Sequence, residues 1–370
     1  MKILFYFNSN SLFYTGLYDS IKKGFEEIGC LVEGAPIILN SNDLNRKILE
    51  FKPDFVLEVN RTKSEIDNFP SNLLHIGWLF DLWDKNPKDL YSDILYTFGY
   101  SWLNRFPNSC AKHLACLPPA TDESIFKKVK IKKKYDFSFF GHIPKPWNHE
   151  ELNRIVGYKN SIPIYFKDIL SNMESAVLSF DNKFCFTSFQ EKFEFKFSTK
   201  LSNSLKYDLT TRIFRQKNRM NFLNLIKKTS DSISIFGTNW EHYKEFDIYF
   251  KGYINSPNNL NKTIQESKVM LHDNHNLHFR VLDAMACGTP VTITTPKKNN
   301  DNLEIFGLKK NIHYLEVNLL KSEKFQIPSD EILNKISNNA SKVIQEKHLW
   351  RHRAKTILND TKKLLEKDNL

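Results

Sequence analysis

The chain has 370 residues, of which 41% are hydrophobic and 26% charged, and carries a formal net charge of +11. That length is too great for one ordinary core and suits two domains of about 150 residues each, with a cleft between them. The composition is that of a globular protein, and no run approaches the roughly 18 apolar residues that a membrane span needs.

The amino terminus, "MKILFYFNSN", has a short apolar run that gives way to Asn and Ser, so it predicts a first strand rather than a signal peptide. Five cysteines, Cys30, Cys110, Cys116, Cys185 and Cys287, are scattered with no C-x-x-C pair, which argues against a disulfide framework or zinc module and for a reducing cytoplasm. The positive charge is compatible with nucleic acid, an anionic membrane face or an anionic small ligand. No recognisable nucleic-acid module accompanies it, so nucleic acid is not an expected partner.

In chain order, "KILFYF" is followed by a helix ending at Gly29, then by "DFVLEV", "LLHIGWLF", "DILYTF" and "HLACL". Apolar runs alternating with amphipathic segments predict a parallel sheet covered by helices. Gly16 stands alone after the first strand, so the dinucleotide fingerprint is missing. Lys127 to Lys134, "KKVKIKKK", reads as a solvated interdomain linker, with contact to an anionic membrane as the functional alternative. "YDFSFFG" opens a second alternating region. In "FTSFQEKFEFKF", Phe186, Phe189, Phe193 and Phe197 have helical spacing while Phe193, Phe195 and Phe197 alternate as a strand would; a helix is the preferred reading. Beyond Asn218 come the helix "RMNFLNLIKK", the strand "ISIFG", a helix over 259–267, the strand "VMLH", and a closing amphipathic segment of one or two helices. The expected organisation is an α/β protein with a first domain over 1–125, a second over 126–345 with a Phe-rich insertion near 143–217, and a closing helix over 346–370 that returns toward the first domain.

The segment "LHFRVLDAMACGTPVTI" carries the clearest chemistry. A polar loop, His272 to His278, follows a buried strand at its carboxyl end, where open α/β sheets place ligands. The next helix presents unsatisfied N–H groups and a positive dipole end, which favours an anion such as a diphosphate. Arg280 in its first turn would share that anion, and Asp283, three residues on, could accept hydrogen bonds from the vicinal hydroxyls of a ribose. The bland alternative is a surface salt bridge worth under about 1 kcal/mol. His272, His275 and His278 beside Asp273 have metal-ligand residue types, as do Cys110, His113 and Cys116, but ligand contact for the loop and ordinary packing for the strand are preferred and no metal is expected. In "HIGWLFDLWDKNP", Asp81 and Asp84 follow a buried strand, so either carboxylate could act as general base toward an acceptor hydroxyl; helix capping is the competing role. Arg61 is a further residue at the mouth.

"RVLDAMACGTPVTI" resembles the R-x-x-E-A-x-A-C-G-x-P segment of GT-B glycosyltransferases, especially the CgeB-like (spore maturation protein-like) branch of the group 1 enzymes. "LPPATDESIFKK", "YDFSFFGH", "RMNFLNLIKKTSDSISIFGTNW" and "KHLWRHRAKTIL" resemble further segments of that family, in the same order. The resemblance implies two Rossmann-like domains facing across a cleft, and transfer of a sugar from a nucleoside diphosphate sugar to a glycan, lipid-linked or protein acceptor without a metal cofactor. Carried over, Arg280, His278, Phe279 and the helix start would meet the diphosphate and Asp283 the ribose, Gly141 and His142 would face the donor, and Gly237, Trp240, Tyr253 and Ile254 would frame the base. The acid that the wider group keeps eight positions before the ribose acid is replaced by His275, and Asp283 stands where Glu is commoner. A nucleotide-sugar 2-epimerase or a non-catalytic sugar-nucleotide-binding subunit would share the same fold.

Overall fold

The computed structural model describes residues 1–7, 11–81, 85–172, 194, 196–198, 201–273, 277–294, 303–319 and 322–368. The amino-terminal half builds a six-stranded sheet from β1 (Lys2–Phe7), β2 (Leu31–Ala35), β3 (Phe55–Val59), β4 (Leu74–Leu79), β5 (Ser92–Thr97) and β6 (Ala111–Cys116), in the order β2-β1-β3-β4-β5-β6. Every pairing is parallel. The central strands β3, β4 and β5 are buried along their whole length, as expected where both faces of a parallel sheet are covered. The sequence pattern anticipates five of the six strands. It misses β2, an edge strand "LVEGA" that buries only Val32 fully and so shows no apolar run.

One face of this sheet is covered by α1 (Leu12–Glu26), the other by α2 (Ser41–Phe51). Ser11 caps α1 by accepting from the Tyr14 N–H at 3.4 Å.

The carboxyl-terminal half has a five-stranded parallel sheet of β7 (Tyr135–Phe140), β11 (Ile233–Phe236), β12 (Ser267–His272), β13 (Val291–Thr294) and β14 (Leu315–Val317), ordered β11-β7-β12-β13-β14. Between β7 and β11 a small antiparallel sheet of β8 (Ile155–Lys159), β9 (Ile162–Tyr165) and β10 (Lys196–Phe197) has its own core around Val156, Phe166, Ile169, Leu205 and Phe214. The expectation of a helix through the Phe-rich stretch fails at Lys196–Phe197. These residues pair with Tyr158 and Gly157, so at this end the period-two alternation outweighs the helical spacing. Phe186, Phe189, Phe193 and Phe195 lie outside the described residues.

The longer described helices of this half are α3 (Ile213–Lys227), α4 (Pro257–Gln265), α5 (Phe279–Ala286) and α6 (Asp330–Lys347), and the chain closes with α7 (Trp350–Asp368). Trp350, Ala354, Ile357 and Leu364 of α7 pack with α1 into the first sheet's core. Gly24 makes that approach possible, because a Cβ there would lie 2.7 Å from the Trp350 backbone. No described helix is long and apolar enough to cross a membrane.

Candidate functional site: a cationic cleft between two sheets

The carboxyl ends of β7 and β11 in one half and the first turns of α1 in the other border a cleft open to solvent, lined among others by Phe13, Thr121, Gly237, Tyr253, Arg280 and Asp283. The α5 start is built as the sequence predicts. His278 adopts an extended conformation and its Nδ1 accepts from the Arg280 N–H at 3.4 Å. Burial, with His272 and Arg280 nearby, holds His278 well below the usual imidazole range. It therefore stays neutral at physiological pH, as an N-cap acceptor must.

Arg280 and Asp283 share a face of α5 but not an ion pair. Arg280 Nη1 donates to the Phe140 carbonyl at 2.7 Å, at the end of β7. Asp283 is 4% exposed, and its Oδ1 accepts from the Thr121 hydroxyl at 2.6 Å. A surface salt bridge therefore does not explain the spacing. Burial pushes the Asp283 carboxyl up to about 8, against the opposing pull of Thr121 and Arg280 and with Asp122 adding to the rise.

Two arginines that the sequence reading passed over complete the electrostatics. Arg215 and Arg219 lie one turn apart on α3. Arg215 Nη1 contacts His142 Nε2 at 3.0 Å, and Arg219 Nε donates to Asp273 Oδ2 at 2.8 Å. Among the described residues the buried Arg219 Nη1 has no hydrogen-bond partner. Partial burial and the charges of Arg219, Arg215 and Arg280 push His142 down to about 4. Burial alone would raise the Asp273 carboxyl, but Arg219 and His272 hold it below the ordinary range. Three guanidinium groups thus influence one neutral imidazole with a single carboxylate, Asp273, bonded among them. Such an excess of fixed donors favours an anion, and most strongly where water is excluded.

The other expected residues divide. Tyr253 and Ile254 line the cleft, Tyr253 being 62% exposed. Gly237 has φ +151°, and a Cβ there would strike the Gly141 carbonyl oxygen at 2.1 Å, so only glycine lets these two turns meet. Trp240 does not reach the cleft. It is fully buried, and its Nε1 donates to the Gly141 carbonyl at 2.6 Å, so it supports the turn from behind instead of framing a base. Phe279 lines the cleft, and its ring lies 5.7 Å from Phe13, 5.7 Å from Phe80 and 5.4 Å from Phe98, all from the first half.

Asp81 lies two residues beyond the end of β4. Asn60, at φ +61°, accepts from the N–H groups of Phe80 and Asp81 at 2.7 and 3.2 Å, and its Nδ2 donates to Asp81 Oδ2 at 3.3 Å. The carboxylate is thereby held beside Phe80, which packs on Phe279. Arg61 points elsewhere: its Nη1 donates to the Leu39 carbonyl at 2.6 Å and pairs with buried Glu58 at 3.4 Å. Asp84 and His275 lie outside the described residues.

Residues 215–359 match the family described as glycosyl transferase-like. No curated protein matches the chain. Among solved structures, AviGT4, a glycosyltransferase involved in avilamycin A biosynthesis, is similar over 99% of this chain and 98% of its own, at 11% identity and a TM-score of 0.50. A glycosyltransferase from Rickettsia africae ESF-5 aligns over 98% of both chains at 9% identity and a TM-score of 0.48. VinC, solved in complex with dTDP, aligns over 99% of this chain and 100% of its own at 9% identity and a TM-score of 0.41. The likeness to AviGT4 shows the fold, which is GT-B: two parallel-sheet α/β units face each other across the cleft. The glycosyl transferase-like segment contributes Arg280 and Asp283 to that cleft, and Arg215 and Arg219 to the cationic cluster around His142 and Asp273. The activity supported by domain and fold together is sugar transfer.

Proposed function

We propose that the protein moves a sugar from a nucleoside diphosphate donor to the hydroxyl of a glycan, lipid-linked or protein acceptor, as a member of the CgeB-like branch. The observation that carries this reading is the placing of Arg280 and Asp283 on successive turns of α5 beside Arg219 and Arg215. The diphosphate would lie against Arg280, Arg219 and the first N–H groups of α5, and the ribose hydroxyls against Asp283. As the bond from the sugar C1 to the diphosphate oxygen breaks, negative charge grows on the leaving group, where the guanidinium groups already point. The acceptor oxygen attacks C1 and gives its proton to a base of the first domain, a role assigned here to Asp81, which Asn60 holds just past the end of β4. Neither a metal nor another cofactor enters this scheme.

The six lysines of Lys127–Lys134 are all exposed, which supports peripheral contact with the anionic cytoplasmic face of a membrane, where a lipid-linked acceptor would be held. Equal sedimentation with neutral and anionic vesicles would remove that part of the reading.

A thermal-shift screen with UDP, GDP, CMP and dTDP sugars tests the donor site, since ligand that binds the folded state raises its apparent stability. Selective stabilisation by one base, followed by product formation only when acceptor is present, is expected. Turnover of the donor with no acceptor would replace transfer by 2-epimerisation, and binding without any turnover by a sugar-nucleotide-binding subunit.

A further inference from the structure

The crossover between the two halves is fastened to three parts of the molecule within a few residues. Arg353 of α7 donates from Nε to the Pro118 carbonyl at 2.7 Å and from Nη2 to the Pro119 carbonyl at 2.8 Å. The Thr121 N–H donates to the His348 carbonyl at 3.0 Å, at the α6–α7 junction. Asp122 accepts from Ser20 and Lys23 of α1 at 3.2 and 3.3 Å. From the middle of this clamp the Thr121 hydroxyl, itself 1% exposed, reaches Asp283. The crossover thus touches α5 at the carboxylate assigned above to the donor ribose.

We propose that Thr121 is a positioning residue of the donor site: its hydroxyl orients the Asp283 carboxyl group so that the remaining acceptor capacity meets the vicinal hydroxyls of a nucleoside diphosphate. This rests on the donor-site reading given above. A carboxylate has room for about four hydrogen bonds. One from Thr121 fixes its rotamer and leaves acceptor sites toward the cleft, which Asp283 and Thr121 both line. The charged groups facing Asp283 are Arg280 on its own helix and Asp122 on the crossover, with the neutral Cys287 thiol at the end of α5 as a further titratable neighbour. Arg280 favours the carboxylate, whereas Asp122 opposes it. The hydroxyl of Thr121 is thus a neutral group that, with Arg280, opposes the burial that favours the protonated Asp283 carboxyl.

The experiment uses the full chain with Thr121→Val, a near-isosteric replacement without the donor, and Thr121→Ser, which keeps it. Binding of UDP, GDP, CDP and ADP is measured by calorimetry from pH 6 to 9, and the best binder is compared with its 2′,3′-dideoxy form. Expected is a loss of about tenfold in affinity for T121V at pH 7, recovering toward pH 9, with T121S within about twofold of wild type. The dideoxy compound should bind wild type and T121V alike. Equal losses for both compounds, or an unchanged affinity and pH profile in T121V, overturn the proposal while leaving the donor site standing. Failure of every nucleotide to bind the wild type overturns both. Should T121V not fold, T121S decides: a loss on the scale expected of T121V would contradict the role of the hydroxyl, and wild-type behaviour supports it.

Discussion

Arg353 Nη2 contacts His348 Nδ1 at 2.7 Å across the junction of α6 and α7, while His348 Nε2 donates to the Phe306 carbonyl at 2.8 Å. The imidazole must accept on Nδ1 and donate from Nε2, so it is neutral. Burial, followed by the Arg353 charge, pushes its pKa down to about 3. Arg353 has no carboxylate partner among its hydrogen bonds and spreads its donors over the carbonyls of Pro118, Pro119 and Lys347. Lys cannot reproduce that planar fork. Arg353→Lys is therefore expected to cost about 2–4 kcal/mol, read as a lower urea midpoint. A midpoint within error of the wild type contradicts the clamp. Because the folded-state pKa of His348 lies below the unfolded value of 6.5, its contribution is present above pH 6.5 and is lost as pH falls toward 3.

Arg280→Met removes the guanidinium while keeping much of the side-chain volume. The loss in kcat/KM should reach about 100-fold or more, the scale seen when one charge-stabilising donor is deleted. Arg219→Met should show the same direction with a smaller loss, since the Asp273 carboxylate already offsets its charge, whereas Arg280 is bonded to a neutral carbonyl. Wild-type kinetics in both variants would separate the cationic cluster from the chemistry.

Asp283 gives a pH signature in stability. Its folded-state pKa of about 8 lies above the ordinary aspartate value of 3.8, so folding favours the protonated form. The stability it lends is complete below about pH 4 and disappears as pH rises through 8. Asp283→Asn should remove that slope. Between pH 5 and 9 the wild-type melting temperature should fall by about 3 °C or more relative to the variant, and parallel curves would refute the shift.

Asp81→Asn separates chemistry from binding. If Asp81 takes the acceptor proton, kcat should drop by about 100-fold or more, whereas the donor dissociation constant should stay within about twofold. Full turnover would send the search for the base elsewhere.

The sheets and the start of α5 were legible because they rest on local signals: buried apolar runs, a capping residue, a glycine stop after "DAMAC". β2 was not, since an edge strand with one fully buried side chain carries little periodic signal. Arg280 and Asp283 were found through their spacing on one helix, yet their true partners, the Phe140 carbonyl and the Thr121 hydroxyl, lie 140 and 162 positions away. No periodicity encodes such contacts. Arg215 and Arg219 offered a faint cue, a pair of arginines one turn apart. Trp240 was misread because an indole near a glycine turn has the same sequence appearance whether it faces a ligand or props the turn from inside.

Phe279 and Arg280 are neighbours in sequence that serve opposite sides. The phenyl ring sits among Phe13, Phe80, Phe98 and Trp350 of the other core, while the guanidinium is bonded to the end of β7. This peptide unit is therefore one of the points at which the two lobes bear on each other, beside the Thr121–Asp283 bond and the packing of α7. If the lobes rotate apart, either the ring leaves its aromatic nest or the helix end swings with it, and the N–H groups aimed at the anion change direction. Opening for product exit would then loosen the grip on the spent nucleotide in the same motion.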